Sequence, residues 1–164
     1  MAGRIVVGVD GSDGSLPALR WAVDEAHRRR ATVEAVLVWQ AMTALGLGEI
    51  PYLPDEEARI VAAERLRLDG VVARALAVVG GTRDLGGTGL GDGDARVQVE
   101  TVIAEGDAAH VLCERSENAD LLVVGVRGHG RMPRLLEGSV SSACMRRSRC
   151  PVVLVPHGSI RPAR

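Results

Sequence analysis

A short apolar run followed by a glycine-rich loop is the feature that most restricts the fold of this chain. Residues 120–125 read Asp-Leu-Leu-Val-Val-Gly, and an unbroken apolar run of this length is typical of a strand buried on both faces of a parallel sheet. Residues 139–147 have the pattern of a helix. The chain therefore passes from the carboxyl end of a central strand, through glycines, to the start of a helix.

This connection has the chemistry of an anion site. Glycines let backbone N–H groups approach an anion, and a helix N-terminus adds donors and the positive end of its dipole. A plain strand-to-helix connection, with glycines only for turning, is the alternative, because a glycine motif alone is weak evidence. The loop also contains basic side chains that can offset the charge of a polyphosphate, namely Arg127, His129, Arg131 and Arg134.

The spacing of the glycines resembles a family motif. Gly125-x2-Gly128-x9-Gly138-Ser139 is similar to the ATP-binding pattern Gly-x2-Gly-x9-Gly-Ser/Thr of the universal stress protein family. Residues 5–12 resemble the opening strand and Val-Asp-x-Ser turn of that family. Residues 106–125 resemble its third helix and fourth strand, and residues 150–155 its closing strand. The resemblance covers nearly the whole chain and implies an ATP-binding universal stress protein.

The resemblance also implies a ligand and a set of binding residues. It implies ATP, with or without Mg²⁺, with Asp10 beside the ribose and adenine and the backbone of Val38 at the adenine edge. The glycines bring backbone to the phosphates, and a solvated role for Arg127 is as open as a phosphate contact. No catalytic residue and no metal ligand is predicted. The predicted binding residues are Val9, Asp10, Val38, Gly125, Arg127, Gly128, Gly138, Ser139 and Val140.

Each of these roles has a simpler alternative. Asp10 can close a turn through its carboxylate, Val38 can be plain core, and Ser139 can be a helix cap. Two further caps are predicted elsewhere, with Ser15 at the start of the first helix and Asp107 at the start of the third.

The order of elements predicts the fold without reference to the family. Strands are expected at residues 4–9, 32–39, 95–103, 120–125 and 151–155, with helices between them. This alternation predicts a doubly wound, Rossmann-like, five-stranded parallel sheet with helices on both faces and strand order 3-2-1-4-5. The family name for this architecture is adenine nucleotide alpha hydrolase-like. Ligands bind such sheets where the strand order reverses, which places Asp10 beside the Gly125 loop.

The length of 164 residues predicts one domain. We expect residues 1–157 to form a single universal stress protein-like nucleotide-binding domain. The glycine-rich stretch 80–94 is predicted to be a flexible insertion, and residues 158–164 a disordered C-terminal tail. The last strand, Pro151 to Val155, is apolar and lies at a predicted sheet edge, which favours pairing with another chain. Family members commonly dimerise there in an antiparallel arrangement, so a homodimer is expected.

Composition excludes several classes of function. All 20 basic residues are arginine, so a P-loop with its lysine and any Schiff-base lysine are excluded. The net charge of −1 argues against nucleic acid as a partner. The three cysteines are odd in number and fit no Cys-x2-Cys spacing, which is most simply explained by buried thiols in a reduced compartment. Neither a signal peptide nor a run of about 18 apolar residues is seen. We therefore expect a cytoplasmic protein without a membrane partner.

Two classes of function stay open. The favoured one is an ATP-binding stress-response protein that acts through nucleotide-dependent conformation or through partner binding. The alternative is a slow ATP hydrolase or an adenylyl-transferring enzyme of a related nucleotide-binding fold. The lack of lysine and of a paired acid set favours the first, with at most weak ATP hydrolysis.

Overall fold

The structure, a computed structural model, describes residues 3–40, 54–80, 97–126 and 138–156, with only the backbone at residues 54 and 78–80. Strands and α-helices alternate along these residues, and a 3-10 turn, Asp13–Ser15, precedes the first helix. In chain order the elements are β1 (Arg4–Val9), α1 (Leu16–Arg29), β2 (Thr32–Trp39), α2 (Pro54–Gly80), β3 (Val99–Glu105), α3 (Ala108–Arg115), β4 (Leu121–Gly125), α4 (Ser139–Arg147) and β5 (Val152–Val155).

The five strands form one parallel sheet in the order β3-β2-β1-β4-β5. The predicted doubly wound sheet with strand order 3-2-1-4-5 is therefore confirmed. The order reverses between β1 and β4, which pair in the register Ile5 to Leu121. The alternating strand β3 lies at one edge, as its polar face predicted, although it begins at Val99 in the described residues and runs on to Glu105.

Two apolar layers cover the two faces of the sheet. The first joins α1 and α2 to the sheet and includes the fully buried Leu19 and Leu68. The second joins α3 and α4 to the other face and includes Leu112 and Cys144. Aliphatic side chains fill both layers, and the chain contains no Phe. Both faces of the parallel sheet are thus buried, as the unbroken apolar runs required.

One glycine sets how closely α3 approaches the sheet. A Cβ atom at Gly8, in the middle of β1, would lie 2.7 Å from Cδ1 of Leu112 on α3. Real Cβ atoms essentially never approach another carbon this closely, so any larger residue at position 8 must displace Leu112. The absence of a side chain at Gly8 therefore lets α3 lie directly on the central strand.

A buried acid ties three segments together at the amino end of the sheet. Glu34 on β2 is 5% exposed and accepts hydrogen bonds from Nη1 of Arg4 at 2.9 Å and from Nε of Arg115. Arg4 also donates through Nη2 to the carbonyl of Arg115 at 2.9 Å. Two arginines thus compensate one buried carboxylate, as burial of a charge requires. We call this group, Arg4, Glu34 and Arg115, the Glu34 clamp.

Several predictions fall outside the part of the chain that the structure describes. The glycine-rich stretch predicted at 80–94 is described only at the backbone of Gly80, and the tail predicted at 158–164 is not described at all.

None of the helices in the described ranges combines the length and the apolar character that crossing a membrane requires.

Candidate functional site

Three neighbouring strands end side by side at the predicted site. In the β1–β2 register Val9 is level with Leu37, so the next residues, Asp10 and Val38, are level as well. In the β1–β4 register Val7 is level with Val123, and the same offset brings Val9 level with Gly125. The sheet therefore brings together four of the predicted residues, which lie at or next to the ends of its strands, namely Val9, Asp10, Val38 and Gly125. They lie at the carboxyl edge, where the strand order reverses and such sheets bind ligands.

A tight turn fixes the carboxylate of Asp10 after β1. Its Oδ1 accepts the backbone N–H of Ser12 at 3.0 Å and the hydroxyl of Ser12 at 2.6 Å. The hydroxyl oxygen of Ser12 in turn accepts the N–H of Gly14 at 3.1 Å. Between them Gly11 has a φ of +74°, a left-handed conformation that favours glycine. The turn-closing role considered for Asp10 is thus present, and it holds one carboxylate oxygen in a defined orientation.

The start of α4 lies directly against the end of β4. Val126, the residue after β4, donates its N–H to the carbonyl of Val155 at 3.0 Å, and its own carbonyl accepts the N–H of Gly138 at 3.0 Å. Gly138 is the N-cap of α4, with φ −65° and ψ 153°, and makes no side-chain cap. The chain therefore leaves the sheet at Val126 and returns to the same point at Gly138.

The first turn of α4 presents backbone donors at the sheet edge. Ser139 and Val140 are its first two residues, and the first N–H groups of a helix have no intrahelical acceptor. Ser139 is exposed and Val140 half-buried, and the first turn contains no acidic residue. The carbonyl of Gly138 is already occupied, because it accepts from the N–H of Ser142 and the hydroxyl of Ser141. This arrangement can hold an anion against N–H groups and the positive end of the helix dipole.

The predicted residues divide into those that the structure describes and those that it does not. Val9 is buried, and Val38 packs its side chain against the second apolar layer, so only its backbone is available to a ligand. Ser139 is not the helix cap considered as its alternative role, because Gly138 occupies that position. Arg127 and Gly128, with the rest of residues 127–137, lie outside the described residues.

The structure adds a neighbour that the sequence did not indicate. Arg67 on α2 lies over the Asp10 turn, since a Cβ atom at Gly11 would be 3.4 Å from Cβ of Arg67 and 3.5 Å from its Nε. The guanidinium of Arg67 also binds Glu64 at 2.9 Å. No local pattern could have revealed this contact, because it depends on how α2 packs on α1 and on the sheet.

The donor atoms at the sheet edge are not those of a metal site. Within the described ranges, no cluster of three or more His, Cys, Asp or Glu side chains is arranged to hold an ion. The donors assembled at the sheet edge are instead backbone N–H groups and one carboxylate.

The sequence is similar to those of known proteins over nearly its whole length. The sequence model of the universal stress protein family matches residues 1–156. Universal stress protein Rv2623 of Mycobacterium tuberculosis is 33% identical over 151 residues, which cover 92% of this chain and 46% of that protein. The chain thus spans about half the length of the curated relatives it matches.

Solved structures show the same architecture. A universal stress protein in complex with cAMP is 28% identical, with a TM-score of 0.61 and coverage of 96% of this chain and 98% of that one. A universal stress protein of Archaeoglobus fulgidus in complex with dAMP is 18% identical, with a TM-score of 0.56 and coverage of 93% and 97%. The second similarity shows a shared fold, the predicted adenine nucleotide alpha hydrolase-like fold. On its sequence and its fold, this chain belongs to the universal stress protein family.

Proposed function

We propose that this chain is a stress-response protein that binds ATP across the carboxyl ends of β1 and β4. The observation that carries the proposal is the return of the chain at Gly138, which sets the start of α4 against the end of β4, the strand that pairs with β1 and its following residue Asp10. The cAMP bound by the related universal stress protein supports an adenine nucleotide as the class of ligand.

One half of the proposed site suits the phosphates of ATP, and the other half suits its ribose and adenine. The N–H groups of Ser139 and Val140, with the hydroxyl of Ser139, donate to the phosphates, and the bare backbone of Gly138 lets the phosphates approach. The glycines at 125 and 128 and Arg127 belong to the same half in this proposal. A helix N-terminus beside glycines is an arrangement that recurs in nucleotide-binding folds.

Asp10 belongs to the half of the site that takes the ribose and adenine. An ionised carboxylate only accepts hydrogen bonds, and ribose hydroxyls are donors that match it. The Ser12 turn holds Oδ1 of Asp10 in place before any ligand arrives. Such preorganisation lowers the ordering cost of binding. Val9 and the backbone of Val38 border this half and place the adenine edge beside β2 in the proposed complex.

ATP acts in this proposal as a signal and not as a fuel. Fast phosphoryl transfer needs charge neutralisation at the γ-phosphate and a residue that orients the attacking group. The chain has no lysine, and Asp10 is assigned to the ribose end. Binding ground and transition states equally gives affinity without turnover. The alternative, a slow ATP hydrolase or adenylyl-transferring enzyme, requires a catalytic acid or base, for which Glu137 is the acid in the loop sequence.

Calorimetric titration with ATP, with and without Mg²⁺, tests the proposal directly. We expect saturable binding of one ATP per chain, weakened in Asp10→Asn, whose amide oxygen can still accept from Ser12. Asp24→Asn is the matched control, because it removes the same charge from α1 and should leave affinity unchanged. Absence of binding to the wild-type chain, or equal affinity in both variants, would contradict the assignment.

We also propose that the chain forms a homodimer through the outer edge of β5. β5 is the last strand in the sheet order and pairs with β4 on one side. Its residues are Val-Val-Leu-Val, and the first three are only half-buried. An apolar edge strand invites pairing with another chain. A second copy, added antiparallel, would satisfy the outward-facing backbone groups and cover these side chains.

A further inference from the structure

Two cysteines that are distant in the sequence meet between α3 and α4. Cys113 lies near the end of α3 and Cys144 in the middle of α4, and the two helices pack against each other on the second face of the sheet. Both belong to the second apolar layer, and Cys113 lies close enough to Cys144 to raise the pKa of its thiol. The packing of α3 on α4 therefore places the two thiols beside each other.

The two thiols differ in access to solvent. Cys144 has no exposed surface, whereas Cys113 is half-buried. Burial is the largest cause that raises the pKa of Cys144 to about 12, with smaller contributions from the neighbouring Cys113 and Asp107 and an opposing one from Arg147. Cys144 is consequently a neutral thiol near pH 7, and a dissolved oxidant reaches Cys113 first, because thiol oxidation follows exposure and thiolate character.

We propose that Cys113 and Cys144 form an oxidation site for hydroperoxides, at which Cys113 is oxidised and Cys144 then closes a disulfide between α3 and α4. The site lies between α3 and α4 in the second apolar layer, and its chemistry needs no nucleotide. Its chemistry is independent of the binding proposed at the sheet edge.

The reaction proceeds in two balanced steps. The sulfur of Cys113 attacks a peroxide oxygen, so that an S–O bond forms, the O–O bond breaks, and the departing oxygen takes the thiol proton as water or an alcohol. The sulfur of Cys144 then attacks the sulfenic acid at Cys113. The S–S bond forms, the S–O bond breaks, and the hydroxyl leaves with the proton of Cys144 as water. Two thiols are oxidised for each hydroperoxide reduced.

The third cysteine provides the matched control. The sulfur of Cys150 lies 3.5 Å from the hydroxyl oxygen of Ser148 and 3.6 Å from the carbonyl of Pro151. It is half-buried like Cys113 and belongs to the same apolar layer. If exposure alone decided the reaction, peroxide would oxidise Cys113 and Cys150 equally. If the neighbouring Cys144 decides it, only Cys113 enters the disulfide.

Non-reducing peptide mapping after treatment with hydrogen peroxide tests the proposal. Trypsin cleaves after Arg115, Arg146 and Arg149, so the three cysteines fall in three different peptides. We expect the peptides of Cys113 and Cys144 to be linked in the wild type and in Cys150→Ser. The link is expected to be absent in Cys113→Ser, in Cys144→Ser and in Cys144→Ala, the last of which avoids placing a hydroxyl in the core.

Trapping with dimedone separates the two steps. In Cys144→Ala the sulfenic acid has no partner, and we expect dimedone to label Cys113 more strongly than in the wild type. Circular dichroism verifies that each variant is folded. A disulfide that includes Cys150, a disulfide only between two chains, or three free thiols after peroxide treatment would each overturn the proposal.

Discussion

The N–H of Gly138 donates to the carbonyl of Val126 at 3.0 Å, and a Cβ atom at position 138 would lie 3.2 Å from the same oxygen. One backbone contact thus joins the end of β4 to the start of α4 and leaves almost no room for a side chain. The backbone angles of Gly138 are accessible to any residue, so contact with Val126, and not conformation, restricts this position.

Gly138→Val should weaken ATP binding while the chain stays folded. The branched side chain must push the start of α4 away from Val126, which moves the N–H groups of Ser139 and Val140 from the proposed phosphate position. We expect the dissociation constant to rise at least about tenfold, which corresponds to roughly 1.4 kcal/mol. Calorimetry measures the affinity, and Gly70→Ala on α2, where a Cβ atom would have only Arg74 at 3.7 Å, is the control. Unchanged affinity in Gly138→Val would show that the start of α4 does not bind ATP.

Hydrolysis of ATP should be slow. With Mg²⁺ and saturating ATP, we expect steady-state turnover well below the ordinary enzyme range of about 1–1000 per second. The reason is the absence of lysine together with the assignment of Asp10 to the ribose end. Phosphate release measures the rate. Turnover near one per second, abolished by Glu137→Gln or Asp10→Asn, would make the chain an enzyme.

Blocking the outer edge of β5 should give a monomer. The carbonyls of Pro151 and Val155 accept from the N–H groups of Leu122 and Val126, so the alternation of a strand turns the N–H of Leu154 outward. Leu154→Pro removes that donor and keeps the pairing with β4. Sedimentation should show twice the chain mass of 17.3 kDa for the wild type and the single mass for the variant. A wild-type chain that sediments only as a monomer at micromolar concentration would exclude the dimer.

Alkaline pH should destabilise the fold through Cys144. Its folded pKa of about 12 lies above the ordinary value of 9.0, so the folded state holds the proton more tightly than the unfolded state. This contribution is fully present below pH 9 and is lost as the pH rises toward 12. The free energy of unfolding should fall by at most about 4 kcal/mol over this range, at roughly 1.4 kcal/mol per pKa unit.

Denaturant unfolding at a series of pH values measures this slope. The background is low because the chain has no lysine, whose ordinary pKa falls in this range. Cys144→Ala should flatten the slope, and Cys150→Ala should retain it. An equal slope in wild type and Cys144→Ala would show that other groups cause the loss.

The sequence predicts the fold well because the relevant signals are local. The apolar run at 121–125 and the helical face of Leu19, Ala22 and Val23 each report burial on their own element, and chirality then orders the strands. Asp107 is the cap predicted for α3, and its carboxylate accepts the N–H of His110 at 2.8 Å.

One side-chain detail differs from expectation at the start of α1. Ser15 lies at the N-cap position of α1, as predicted, but its side chain makes no cap hydrogen bond and its hydroxyl donates to the carbonyl of Ser12 at 2.7 Å. Ser12 caps the preceding 3-10 turn with its own side chain, so the turn after Asp10 decides which serine side chain acts as a cap. Arg67 beside Gly11 and the proximity of Cys113 to Cys144 were beyond prediction for a different reason, since each depends on how two helices pack.

The Glu34 clamp has a consequence for the order of folding events. Its members come from β1, β2 and the end of α3, so they meet only after two successive crossovers have closed. Contacts of such sequence separation form late, and late contacts affect the rate of unfolding more than the rate of folding. We therefore expect Glu34→Gln to raise the unfolding rate, which shifts the unfolding arm of a stopped-flow chevron upward at an unchanged slope, with the refolding arm nearly unmoved. The Glu34 clamp would then contribute to kinetic stability, because it lengthens the lifetime of the folded state.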